Sequence, residues 1–167
     1  INGFKKMKGV RLVALCDADQ AVIDRAVKGL EKDNIKVDTY QDMRRIFDRK
    51  DIDAISTATP NHWHALTSIW AIQSGKDVYV EKPVSHNVWE GRKIVEAARK
   101  YGRIVQTGTQ KRSSLGNKAV FEYMHSGQPG KILWARGFCY KRRDNIAKTE
   151  GPQPIPKTVD YDLWCGP

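Results

Sequence analysis

Apolar positions along this chain alternate between two spacings. Short apolar runs at residues 10–16 (VRLVALC), 35–40, 54–58 (AISTA), 78–80 and 104–107 read as strands. The stretches between them carry apolar residues three and four apart, the spacing of one helix face. Residues 19–30 place Val22, Ile23, Ala26 and Leu30 together, and residues 41–49 place Met43, Ile46 and Phe47. Residues 62–74 and 87–100 read as two longer helices, the second with Val88, Ile94, Val95 and Ala98 inward. Gly75 and Gly102 stand where these helices should close. Strands separated by helices of about ten or more residues imply βαβ units, a parallel sheet and right-handed crossovers. The expected fold class is α/β.

The pattern changes near residue 112. A helix over 115–126 ends at Gly127. Residues 131–142 alternate (Ile132, Trp134, Arg136, Phe138, Tyr140), which predicts a long strand with one covered and one wetter face. A loop rich in proline and glycine then runs to Pro167. The expected division is a domain over 1–111 and the beginning of a second, α+β domain over 112–167.

Composition narrows the function. Apolar residues make up 40% and charged residues 29%, the balance of a globular chain. No run approaches the ~18 apolar residues of a membrane span. The net charge is +10, but the basic residues are scattered, with small clusters at Lys5-Lys6-Lys8 and Lys141-Arg142-Arg143. With no basic–aromatic repeat and no recognition helix, the charge fits a solvated surface or attraction for anionic ligands, not nucleic-acid binding. Cys16, Cys139 and Cys165 show no paired spacing, and Cys16 reads as a small buried hydrophobe. His62 and His64 are two apart, which does not put both on one helix face, so no metal site is expected.

The chemistry concentrates at Glu81-Lys82-Pro83, which follows the apolar run Val78-Tyr79-Val80. The C-terminal ends of strands in open α/β sheets are where ligands bind. Proline fixes one torsion, so the lysine is presented in a defined direction, which suits proton transfer. The plain alternative is a charged loop after a strand.

Four stretches, in order, resemble the Gfo/Idh/MocA family of NAD(P)-dependent oxidoreductases. They are Val13-Ala14-Leu15-Cys16-Asp17-Ala18-Asp19; Ser56-Thr57-Ala58-Thr59-Pro60-Asn61-His62-Trp63-His64; Glu81-Lys82-Pro83 with Glu90; and Gln106-Thr107-Gly108-Thr109-Gln110. The resemblance implies a Rossmann-type doubly wound sheet over 1–111 and the start of a substrate and oligomerisation domain after it. The stretch through Asp160-Tyr161-Asp162-Leu163-Trp164 resembles members that include NAD-dependent glycosidases.

The resemblance also implies roles. Asp17 would bind the adenosine ribose hydroxyls; Asp19 is the better cap for the following helix, which leaves Asp17 available. Ala18 offers nothing suited to a 2′-phosphate, so NAD is favoured over NADP. Thr59, Pro60 and Asn61 would form a turn beside the nicotinamide ribose, with helix capping as the alternative for Asn61. His64 would lie near the nicotinamide. Glu81 would bind the nicotinamide ribose, Lys82 would sit beside nicotinamide C4 and the substrate hydroxyl as the catalytic residue, and Pro83 would follow a cis bond. Gln110 would lie near the carboxamide. Lys111 and Arg112 read as solvated loop, and Trp134, Phe138 and Trp164 as core or interface aromatics.

The chain departs from the family pattern in two ways. No Gly-x-Gly-x-x-Gly turn occurs in the sequence, and Asn2-Gly3-Phe4 reads as the end of the helix that should follow one. The family's catalytic histidine on a later helix has no counterpart. The expectation is an internal segment of a protein of roughly twice the length, with a gap in the sheet beside its first strand. The expected function is hydride transfer between a nicotinamide cofactor and a sugar, polyol or sugar derivative. The alternatives are a glycosidase that oxidises C3 transiently and a non-catalytic cofactor-binding regulator. A small carbohydrate substrate, a homo-oligomeric full-length protein and a cytoplasmic location are expected, with periplasmic export left open.

Overall fold

The computed structural model describes residues 1, 3–145 and 147–167. The N-terminal residues named above as a helix end are only partly covered: Asn2 lies outside the described residues, and Phe4–Lys6 forms a 3₁₀ turn. The chain divides into two compact units, Ile1–Gly108 with Ile155–Pro167, and Thr109–Pro154.

The first unit is a parallel α/β layer. Its elements are β1 (Ala14–Cys16), α1 (Gln20–Glu31), β2 (Asp38–Tyr40), α2 (Arg44–Phe47), β3 (Ala54–Thr57), α3 (Asn61–Gln73), β4 (Asp77–Glu81), α4 (Val88–Tyr101) and β5 (Val105–Gly108). The strands fall in two sheets, β1-β2 and β3-β4-β5, and every pair is parallel. β1 and β3 thus belong to different sheets, which is where the sequence expects the gap. β1 and β2 are shorter than their apolar runs, because only Ala14↔Asp38 through Cys16↔Tyr40 are in register.

Local chemistry sets the helix ends. Asp19 caps α1 by accepting the Ala21 N–H, and Asn87 caps α4 by accepting the Glu90 N–H. Gly75 follows α3 at φ +83°, a backbone region that favours glycine. Its neighbour's N–H closes the helix by donating from Lys76 to the Ala71 carbonyl.

The core packs Phe47, Ala65, Ala71, Ile72, Val78, Val80, Ile94 and Ala97 between sheet and helices. Two sequence assignments change here. α1 buries Ile23 and Leu30, seven residues and two turns apart, while Val22 is exposed. α4 buries Ile94 and Ala97, while Val88, at the first helical position, is 91% exposed and Val95 also faces out. Each is one position away from the covered stripe, a rotation of about 100° on a helix.

The core also holds one lysine. Lys76 is 2% exposed and donates to the backbone carbonyls of Arg49 at 2.6 Å and Ile52 at 3.2 Å. Burial lowers its pKa below the ordinary lysine range.

The tail, 155–167, joins the first unit. Val159 forms an antiparallel bridge with Asp19. Gln20 N donates to the Thr158 carbonyl and Asp160 N to the Ala18 carbonyl, both at 2.9 Å. A short helix, α6 (Tyr161–Cys165), follows, capped by Asp160; periodicity over five residues is too short to announce it.

The second unit holds a 3₁₀ turn, Gln110–Ser113, and α5, Leu115–His125, capped by Ser114. The strand expected over 131–142 does not form; those residues are exposed and carry no regular structure. Alternation defines two faces but supplies no partner, and a strand needs a ladder of backbone hydrogen bonds. No strand among the described residues of this unit offers one. Trp134 and Phe138 are exposed rather than buried, with the Arg136 guanidinium over both rings at 5.3 and 5.6 Å.

Candidate functional site

Parallel strands put their C-terminal ends along one edge, and Thr59, Glu81 and Lys82 stand at such ends in the three-stranded sheet. In the three-stranded sheet Thr57 is in register with Val80, and Glu81 with Gly108. The turn after β3, the loop after β4 and the end of β5 are therefore neighbours. The loop after β1 carries Asp17.

Asp17 is half-buried, and its N–H donates to the Tyr40 carbonyl at 3.2 Å. Its Oδ1 accepts the Asp19 N–H at 2.9 Å, a turn that leaves the capping of α1 to Asp19. The Cys16 thiol beside it is pushed up to about 12, by burial first and then by the charges of Asp17 and Asp42.

Thr59 is half-buried, with its hydroxyl 3.2 Å from that of Thr57. Pro60 precedes α3, and Asn61 is the first helical residue and exposed. The His62 ring tilts against Trp63, and its Nε2 is buried without a partner among the described residues.

His64 is 1% exposed, and its Nδ1 lies 2.5 Å from the Pro83 carbonyl oxygen. A carbonyl only accepts, so Nδ1 carries the proton. Nε2 is buried and has no partner among the described residues. His64 is thus fastened to the loop that carries Lys82, a pairing across nineteen sequence positions.

Lys82 is exposed and the Lys82–Pro83 bond is cis. The loop after it is pinned at its far end. Ser85 Oγ donates to the Asn87 carbonyl, and the Glu90 carboxylate accepts from the His86 N–H and the Asn87 side chain. Asn87 accepts the Glu90 N–H in return, so cap and carboxylate hold each other. Ser85 itself rests where Gly91 has no side chain; a Cβ there would meet its Oγ at 2.9 Å.

Glu81 lays its carboxylate over Gly108. A Cβ on Gly108 would lie 2.8 Å from Oε2. Gln110 opens the 3₁₀ turn of the second unit and is exposed. Lys111 and Arg112 share that turn and are exposed.

The donor set is chemically suited to the ribose hydroxyls of a nicotinamide dinucleotide. Asp17 and Glu81 are carboxylates at the ends of β1 and β4, able to accept from hydroxyl pairs, and Thr59 supplies a hydroxyl. The bare Cα of Gly108 leaves the room in which the Glu81 carboxylate lies. Among the described residues no cluster of His, Cys, Asp or Glu is suited to a metal ion, and no helix is long and apolar enough to cross a membrane.

Sequence reasoning did not find the His64–Pro83 bond, the Ser85–Gly91 fit or the bond from the Trp63 indole N–H to the Leu163 carbonyl in the tail. For the tail the only local sign is Asp160 ahead of Leu163 and Trp164, a helix start.

Comparison with known proteins gives the family. Inositol 2-dehydrogenase of Salmonella paratyphi B is 28% identical over 158 residues, covering 94% of this chain and 46% of the relative. A glycosyl hydrolase family 109 protein of a Shewanella species is 40% identical over 103 residues, covering 59% of this chain and 22% of the relative. The chain therefore spans less than half the length of these relatives. Among solved structures, myo-inositol 2-dehydrogenase of Lactobacillus plantarum superposes with a TM-score of 0.69 at 27% identity, covering 78% of this chain and 38% of that one. The family model for the GFO_IDH_MocA oxidoreductases with an NAD-binding Rossmann fold matches residues 1–109, and this chain belongs to that family.

Proposed function

We propose that this chain forms the cofactor half of an NAD-dependent dehydrogenase acting on a cyclitol or sugar hydroxyl, with Lys82 as its proton-handling group. The observation that carries the reading is the pinning of the Lys82 loop at the sheet edge. The Pro83 carbonyl is held by His64 on one side, and the reciprocal bonds of Asn87 and Glu90 hold the other. These contacts fix the backbone on both sides of an exposed lysine at the C-terminal end of a parallel strand. Bound nicotinamide would supply the hydride acceptor for the carbinol carbon. Lys82 would take part in moving the hydroxyl proton. Glu81 and Thr59, with Pro60 and Asn61 shaping the turn, would hold the nicotinamide ribose. Asp17 would hold the adenosine ribose. Its carboxylate, next to the small neutral Ala18, favours NAD over NADP, since a 2′-phosphate would meet a negative charge with no adjacent cation on that loop.

The test is turnover of inositols and simple sugars with NAD⁺, followed as absorbance of reduced nicotinamide, in the protein that carries this chain. Lys82→Ala should lower turnover by ~10²–10⁴-fold. Full turnover in that variant would overturn the assignment.

A second reading, redox-assisted glycoside hydrolysis, is motivated by the 40% identity to the Shewanella protein over 103 residues, a shorter stretch than the 158 residues matched at 28% in the inositol dehydrogenase. Release of p-nitrophenol from a nitrophenyl glycoside, with NAD required but no net reduction of it, would select this reading over the first.

A further inference from the structure

We propose that His64 is a positioning residue that sets the direction of Lys82 through the Pro83 carbonyl. The proposal rests on Lys82 being the proton-handling group. Pro83 has no N–H, so this point of the loop can be anchored only through its carbonyl. That carbonyl is taken by His64 Nδ1 at 2.5 Å. The anchor is rigid at its other end: His64 lies in the first turn of α3, is 1% exposed, and its own carbonyl accepts the Ser68 hydroxyl at 2.7 Å. Lys82 is one residue before the anchored peptide, so a shift of the Pro83 carbonyl turns the lysine Cα–Cβ bond with it.

The ring makes this hold at a cost. Nε2 is buried with no partner among the described residues. Rotating the ring to relieve it would give up the Nδ1 bond. A residue kept only for packing would be apolar here and carry no such penalty. His64 touches backbone and not the exposed rim, so it acts on the reaction through the loop and does not exchange protons with substrate.

The experiment compares His64→Asn, His64→Leu and Lys82→Ala in the protein that carries this chain, with kcat and KM for inositols and NAD⁺ and a melting curve for each. The asparagine amide sits close to where Nδ1 sits and donates, while it cannot reproduce Nε2. Leucine fills the volume and donates nothing. His64→Leu should lose ~10–100-fold in kcat, the scale of a displacement of about 1 Å. His64→Asn should recover most of that loss, with a melting temperature close to that of His64→Leu. Equal loss in both variants, or wild-type kcat in His64→Leu, overturns the positioning role. These results are distinguishable from failure of the underlying reading, which appears as full turnover in Lys82→Ala. Should His64→Leu not fold, ¹⁵N NMR of the wild-type imidazole decides: protonation at Nδ1 supports the role and protonation at Nε2 alone overturns it.

Discussion

Trp63 donates its indole N–H to the Leu163 carbonyl at 2.9 Å, joining residues one hundred positions apart. Trp63 stands in the first turn of α3, directly after the turn that carries Thr59, Pro60 and Asn61. The tail beyond Leu163 closes on the same ring, since a Cβ on Gly166 would lie 2.4 Å from it. At its other end the tail meets the Asp17–Asp19 loop through the Ala18 carbonyl and the Asp19–Val159 bridge, and Gln41 Nε2 donates to both Ala18 and Thr158 carbonyls. The tail therefore ties the loop after β1 to the start of α3, two places that belong to separate sheets.

Two substitutions separate the contributions of this tie. Trp63→Phe keeps most of the packing and leaves the Leu163 carbonyl without its donor, which should cost about 1 kcal/mol. Gly166→Ala should cost more, because the new methyl group meets the indole and the residue sits at φ +67°. Urea unfolding midpoints check both. Equal stability of Gly166→Ala and wild type would show that the tail does not rest on Trp63 in solution.

How much of this was legible in the sequence depends on whether the determining contact is local. Asp19, Asn87, Gly75 and Gly102 act within a few residues of themselves, and each behaves as its type dictates. The Lys82 loop was also legible, since a strand, a charged residue and a proline in sequence define it. His64 was legible as a residue of interest but its hydrogen bond was not, because its partner Pro83 lies across a crossover. The alternation over 131–142 was misleading for a related reason. It records which side chains would share a face, and says nothing about whether a neighbouring strand exists to pair with. Val22 and Val88 show the limit of periodicity itself, where adjacent valine and isoleucine positions compete for the covered stripe.

The Glu81–Gly108 contact makes a different kind of claim on the site. Gly108→Ala would press a methyl group on the carboxylate, and a glutamate side chain can swing aside at small cost in stability. Melting temperature should therefore change little. KM for NAD⁺ should rise several-fold, because the carboxylate proposed for the nicotinamide ribose is displaced. A variant with lower stability and unchanged KM would assign Gly108 to packing alone.

Lys76 makes stability depend on pH with a definite sign. Burial lowers its folded pKa below the unfolded lysine value of about 10.4. Between those two values the unfolded chain holds a proton that the folded chain has lost, so stability rises with pH across that interval. At lower pH both states are charged, and the folded state carries the full cost of the buried ammonium. Lys76→Met removes the titration and also leaves the Arg49 and Ile52 carbonyls without their donor. Urea midpoints from neutral pH to pH 10 should rise less steeply in the variant than in wild type. Parallel slopes would mean that Lys76 reaches solvent.

Cys16 should be the slowest of the three thiols to react. The thiolate is the nucleophile, and the Cys16 thiol is pushed up to about 12 by burial and by the Asp17 and Asp42 charges. An ordinary cysteine titrates near 8.5, so at pH 8 the thiolate fraction at Cys16 is lower by roughly three orders of magnitude. Cys139 and Cys165 are exposed. Timed iodoacetamide labelling at pH 8, read by peptide mass spectrometry, should modify Cys139 and Cys165 well before Cys16. Guanidinium should bring all three to similar rates. The comparison also probes Asp17 directly: Asp17→Asn removes one of the two charges that raise the thiol, so it should speed labelling of Cys16, though burial, the larger cause, keeps it the slowest site. Unchanged labelling in Asp17→Asn would place that carboxylate too far from the thiol for the loop after β1 to have the form described.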